Sequence, residues 1–206
     1  MSRIAIDDSR DILLVVDMQN DFCPEGALGV PGGDEVLPVA NRLMERFAHV
    51  ALTQDWHPAG HGSFASAHEG YAPFDSFEMP YGPQTLWPDH CVQGTRGAAF
   101  HDALDTTRAE LVIRKGYDAA IDSYSAFYEN DRRTPTGLTG YLRTRGFSRV
   151  VLVGLATDFC VAFSALDAVR HGFQTHVRLD ACRGINLNGS METMLNRMLD
   201  AGVTLA

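Results

Sequence analysis

Residues 149–170 read RVVLVGLATDFCVAFSALDAVR. The run Val150 to Val153 has no polar break, which marks a strand buried on both faces. From Val161 to Arg170 the apolar residues recur at helical spacing, and Gly172 follows as a good helix-ending residue. A strand that passes through a short turn into a helix is half of a parallel βα unit. The turn itself, Gly154-Leu155-Ala156-Thr157-Asp158-Phe159-Cys160, places a cysteine among the free N–H groups of a helix start. Such a place favours thiolate over thiol and offers donors to a developing oxyanion. A cysteine taken alone is more often a small core residue.

The same alternation runs through the rest of the chain. Ile12–Val16, Val50–Thr53, Leu111–Arg114, Phe173–Leu179 and Val203–Leu205 read as further short strands. Helical spacing covers 34–47, a short piece at 98–104, 136–145 ending at Gly146, and 190–199 with Ser190 as its cap. Alternating strands and helices predict a single α/β domain over residues 1–206, its six-stranded, mainly parallel sheet covered on both faces. Residues 56–97 break the rhythm, with Pro, Gly, His and aromatic residues but little periodicity. An irregular insertion of that length in a compact domain is usually functional.

The 206 residues hold 17 Lys+Arg and 26 Asp+Glu, a formal charge of −9 with no basic block. That balance argues against nucleic acid or an anionic membrane as partner. No apolar run approaches the roughly 20 residues of a membrane span. The N-terminus carries Asp7 and Asp8 where a signal peptide would need an apolar region, so a cytoplasmic protein is expected. Cys23, Cys91, Cys160 and Cys182 form no CxxC pair, and in a reducing compartment they are free thiols. Any cysteine chemistry is then nucleophilic rather than structural.

In open α/β sheets, ligands bind beyond the carboxyl ends of the strands. There the chain delivers Asp17 after the first strand, Asp55 and His57 after the second, Lys115 after the third and Cys160 after the fourth. Each alone reads as a cap, a surface charge or packing. Together at one edge they read as a site, because burying such charges without use is costly. A lysine and a carboxylate flanking a cysteine can activate the thiol: the cation stabilises thiolate, and the carboxylate takes the proton and returns it. Asp55 and His57 stand at i and i+2, on one face of an extended segment. With a third ligand from His90, His61 or His68, which spacing does not rank, they would suit Zn²⁺, Fe²⁺ or Mn²⁺. Phe22, Trp87, Tyr124 and Phe127 lie near these motifs and could form a flat slot for a ring.

Six segments in order resemble the nicotinamidase/pyrazinamidase family of the isochorismatase-like cysteine hydrolases: DMQNDF with Asp17, QDWHPAGHGSFAS with Asp55 and His57, WPDHCVQGT with Trp87 and His90, RKG with Lys115, DSYSAF at 122–127, and GLATDFCV with Cys160. The resemblance covers nearly the whole chain. It implies a three-layer α/β/α sandwich. It also implies hydrolysis of nicotinamide, and of pyrazinamide, to the acid and ammonia through a cysteine thioester, in NAD salvage. Asp17, Lys115 and Cys160 would be the catalytic triad, and backbone N–H groups of Ala156 and Cys160 the oxyanion hole, beside a cis peptide at Leu155-Ala156. Asp55, His57 and His90 would hold one divalent metal ion, zinc first among the candidates with iron or manganese as alternatives, and His61 as a candidate additional ligand. Phe22, Trp87 and Tyr124 would line the ring. The partner is a small-molecule substrate, and a homo-oligomer is left open.

Overall fold

The computed structural model describes residues 5–206. In chain order the elements are β1 (Asp11–Val16), α1 (Leu37–Met44), β2 (Val50–Asp55), β3 (Ser76–Met79), β4 (Gly82–Thr85), β5 (Leu111–Lys115), α2 (Leu138–Thr144), β6 (Arg149–Leu155), α3 (Ala162–Arg170), β7 (Gln174–Arg183), α4 (Ser190–Asp200) and β8 (Thr204–Leu205). Six strands form one sheet in the order β5-β2-β1-β6-β7-β8, every pair parallel. β3 and β4 pair separately as an antiparallel hairpin.

The central strands are apolar because both of their faces are covered. Along β1 and β6 the side chains alternate. Leu13, Val15, Val151 and Val153 pack with Leu37, Ala40 and Met44 of α1 on one face. On the other, Ile12, Leu14, Val150 and Leu152 pack with Leu138, Leu142, Ala165 and Met198 from α2, α3 and α4. This is the three-layer sandwich. Each such fully buried aliphatic side chain contributes roughly 1.5–3 kcal/mol.

The strand order creates a crevice. From β1 the chain moves outward to β2 and β5, then returns to β6 on the other side of β1 and moves outward again. At that switch point the loops after β1 and β6 diverge, leaving room for a ligand between their carboxyl ends. Gly154 lets the two strands approach there. Its φ is 122°, and a Cβ would overlap the Val16 carbonyl oxygen.

Several elements differ from their sequence-based expectation. No helix forms at 98–104; only a 3₁₀ turn, Thr106–Arg108, follows. Carbonyl oxygens in this stretch serve side chains instead: Gln19 and Gln54 both donate to Ala98 (2.9 Å each), and Asn20 donates to Ala99 (3.3 Å). The helix expected at 34–47 splits into a 3₁₀ turn, Gly33–Val36, and α1. The helix after Cys160 is α only from Ala162, because Thr157–Val161 forms a wider π turn. Ser190 does not cap α4; Gly189 holds that position, and the Ser190 hydroxyl donates to Asp158. Residues 56–97 are irregular as expected, apart from the β3–β4 hairpin and a 3₁₀ turn at Ala65–Ala67.

Candidate active site

Strand ends deliver the polar groups. Asp55 and Lys115 are the last residues of β2 and β5, directly opposite each other in the ladder. Asp17 follows β1 with φ 46°, in the left-handed region, which turns its side chain into the crevice mouth. Cys160 comes from the π turn after β6. The Lys115 Nζ lies 3.0 Å from Asp17 Oδ2, 3.0 Å from Asp55 Oδ1, 2.8 Å from the Ser123 carbonyl and 3.5 Å from Cys160 Sγ. One fully buried ammonium thus joins two carboxylates and a thiol.

The electrostatics assign protonation states. Burial alone would lower the Lys115 pKa, but Asp17 and Asp55 raise it well above the usual value, so it stays charged. Burial pushes Asp55 up, yet His57 and Lys115 together hold it well below the carboxylate range. For Asp17 burial wins over Lys115, and its pKa rises. Burial also pushes the Cys160 thiol well up, with Lys115 opposing. Contrary to the sequence-based expectation, the turn does not by itself favour thiolate; the resting group is the thiol. It sits beside a carboxylate with raised proton affinity, which makes that carboxylate a better base than an ordinary Asp. Thr53 orients that base: its hydroxyl donates to Asp17 Oδ1 (2.5 Å) and accepts the Asp17 N–H (3.1 Å). Oδ2 lies at ion-pair distance from Lys115 and has no other polar partner among the described residues, which leaves it open to a proton.

A second group lies beside Asp55. The His57 and His90 Nε2 atoms are 3.0 and 3.5 Å from Asp55 Oδ2. In each ring Nδ1 is held by a carbonyl at 2.8 Å, Gly116 for His57 and Pro88 for His90. Nδ1 therefore carries a proton in both, and both Nε2 atoms converge on one carboxylate oxygen, where a metal ion could take the place of their protons. Three buried groups of this kind suit a divalent metal ion. His57, His61 and Asp122 form an overlapping group. The His61 ring lies tilted against His57 with centroids 4.4 Å apart, but its Nδ1 accepts the Ser63 N–H (3.1 Å) and its Nε2 donates to the Asp118 carbonyl (2.8 Å). Both of its nitrogens are thus engaged. His68 lies tilted against Phe77 and belongs to neither group.

Between the two groups opens a narrow cavity lined by Phe22, Leu28, Asp55, Trp87, His90, Asp122, Tyr124, Ala156, Phe159, Cys160 and Ile185. Trp87 meets Phe159 edge to face at 5.0 Å, and its indole N–H donates to the Tyr124 hydroxyl (3.2 Å). The wall is apolar and the floor polar. Phe22, Trp87 and Tyr124 line it, as read from the sequence; Phe127 packs instead against His171 and Phe173 in the core. Leu28, Asp122, Phe159 and Ile185 are additions. Phe159 neighbours the cysteine and Asp122 stands in DSYSAF, so both carried a signal; Leu28 and Ile185 carried none. The Leu155-Ala156 peptide is cis, and Ala156 and Cys160 both face the cavity.

Comparison with known proteins gives concordant matches. The isochorismatase domain family matches residues 11–206. A nicotinamidase of Acinetobacter baylyi is 54% identical over 191 residues, covering 93% of this chain and 89% of that one. A solved nicotinamidase/pyrazinamidase of Acinetobacter baumanii superposes with a TM-score of 0.95 at 54% identity, covering 96% and 95% of the two chains. A pyrazinamidase of Pyrococcus horikoshii, solved in complex with zinc, superposes at 0.77 with 35% identity, covering 96% and 98%.

Proposed function

The chain belongs to the isochorismatase family, and from that premise we propose that it is a nicotinamidase, hydrolysing nicotinamide to nicotinic acid and ammonia. Pyrazinamide, with the same carboxamide on a similar ring, is hydrolysed by the same route. The observation that carries the reading is the single Lys115 ammonium within 3.0 Å of Asp17 and of Asp55 and 3.5 Å from Cys160, beside an aromatic-walled cavity that Asp55 and Cys160 line.

The steps follow from the protonation states. Asp17 Oδ2 takes the Cys160 proton as Sγ attacks the carboxamide carbon. Lys115 holds the pair together and offsets the negative charge. The carbonyl oxygen gains charge and is met by the N–H groups of Ala156 and Cys160. Asp17 returns the proton to the nitrogen, the C–N bond breaks, and ammonia leaves a thioester on Cys160. Asp17 then draws a proton from water as water attacks the thioester carbon, releasing nicotinic acid and restoring the thiol. Asp55, His57 and His90 would hold a divalent ion, zinc the leading candidate; when bound it supplies a coordination point for the ring nitrogen. Phe22, Trp87 and Tyr124 hold the ring flat, so that binding places the amide against Sγ. A cytoplasmic role in NAD salvage is the physiological counterpart.

Ammonia release from nicotinamide, pyrazinamide and benzamide tests the reading. High kcat/KM is expected for the first two, and a much lower value for benzamide, which lacks the ring nitrogen. Chelation should depress the first two strongly and benzamide weakly, since only substrates that use the ion lose by its removal. Equal efficiency on benzamide would defeat it.

A further inference from the structure

Glu129 is buried beneath the site, outside the cavity, and has no part in the steps above. Its Oε2 accepts the N–H of Gly116 (3.3 Å), while Oε1 is buried without a hydrogen-bond partner among the described residues. The Ser123 hydroxyl donates instead to the Ser125 carbonyl (3.3 Å). A buried, half-satisfied carboxyl is costly to keep. What it touches gives the reason for keeping it.

The Gly116 N–H belongs to the peptide that joins Gly116 to Lys115. The carbonyl of Gly116 accepts from His57 Nδ1 (2.8 Å), and that of Ser123 accepts from Lys115 Nζ (2.8 Å). The carboxyl therefore braces the Lys115–Gly116 peptide, between the lysine itself and the carbonyl that orients a metal-ligand histidine. Gly116 must be glycine. Its φ is 65°, and a Cβ there would press into the His57 ring. The chain after Glu129 is itself anchored, with the Glu129 N–H on the Thr134 carbonyl (2.9 Å) and the Asn130 side chain holding the Tyr124 N–H (3.0 Å).

We propose that Glu129 is a positioning residue shared by both halves of the site: by holding Gly116 it sets the His57 tautomer for metal binding and the Lys115 ammonium beside Cys160. The role assigned to those halves rests on the nicotinamidase reading; the geometry of the brace does not.

The test compares Glu129→Gln with Glu129→Met, two side chains of similar size of which only Gln can accept the Gly116 N–H. Two readouts avoid turnover. One is Zn²⁺ affinity by competition with a chromogenic chelator. The other is the rate at which iodoacetamide alkylates Cys160 in metal-free protein, followed on the Cys160 peptide by mass spectrometry. Glu129→Met should bind Zn²⁺ about tenfold more weakly or worse, the usual cost of losing an outer partner of a ligand histidine. Its Cys160 alkylation rate should shift from wild type by a similar factor. Glu129→Gln should stay near wild type in both. The proposal is overturned if the Met variant matches wild type, if it loses one readout and keeps the other, if Gln is as impaired as Met, or if Met fails to fold. Wild-type protein that released no ammonia from nicotinamide would refute the functional reading and leave both readouts as tests of the brace.

Discussion

Asp17, Asp55, Lys115 and Cys160 stand at the ends of four strands of one sheet, whereas His57, His90 and the aromatic wall stand on segments with almost no regular structure. In the first group, spacing is set by the ladder: Asp55 lies opposite Lys115, and Val16, just before Asp17, lies opposite Gly154. The close-packed core on both faces of the sheet would have to yield before those distances changed. In the second group each residue depends on a few local hydrogen bonds. The Trp87 backbone is fixed by Ser63 and Ala65 (2.8 Å each), and His57 and His90 by one carbonyl each. The strand-end group should therefore fail as a chemical unit while the fold persists, and the loop group should fail one ligand at a time.

The largest effect belongs to the nucleophile. Cys160→Ala should abolish ammonia release, a loss on the order of 10³-fold or more. Melting should change little, since Cys160 is one small residue in a well-packed turn. Activity near wild type would remove Cys160 from the mechanism and dissolve the comparison.

Next come its partners. Asp17→Asn and Lys115→Met should each lose most of kcat, and the double variant should be scarcely worse than either, because members of one catalytic unit fail together. Lys115→Met should also melt lower, since it leaves Asp17 and Asp55 buried without their cation. Additive losses in kcat would show two independent roles.

In the loop group, His57→Ala and His90→Ala should lose bound metal. His61→Ala should keep part of it, since it removes the ring packed against His57, and His68→Ala should keep all. Metal content of the four purified variants decides it. Full occupancy in His90→Ala would place the third ligand elsewhere.

The smallest effect is on stability and pH. Burial raises the Glu129 pKa from the ordinary 4.5 to about 7. The folded state then holds its proton more tightly than the unfolded chain, so this contribution is complete at low pH. It is lost as pH rises through the interval between the two values. Glu129→Gln has no such dependence. Relative to that variant, wild type should lose up to about 3 kcal/mol between roughly pH 4.5 and 7 and no more above. Parallel melting curves across that interval would show that the carboxyl is not held protonated.

Sequence reading reached far into the strand-end group and less far into the loops. The apolar runs located all six strands of the sheet, and the rule that ligands sit beyond strand ends was enough to nominate Asp17, Asp55, Lys115 and Cys160. His57 and His90 came from the D-x-H pair and from the WPDHC motif, but the ranking of His61 needed coordinates. Its nitrogens are engaged by Ser63 and Asp118, and no spacing shows that. The helix expected at 98–104 failed because Gln19, Gln54 and Asn20, distant in the chain, take the carbonyls of Ala98 and Ala99. Leu28 and Ile185 look like any other apolar residues until the fold brings them to the cavity.

What the sequence determined by itself was the layered α/β architecture and the chemical inventory at its carboxyl edge, because side-chain periodicity and strand-to-helix order are local and survive without knowledge of neighbours. Only the tertiary structure decided protonation. Cys160 reads as an activated thiolate from its turn, yet burial among carboxylates keeps it a thiol until Asp17 takes the proton. The positioning shell was hidden for the same reason. Thr53 and Glu129 act through distances to residues 36 and 13 positions away, and desolvation and hydrogen bonding depend on such distances alone.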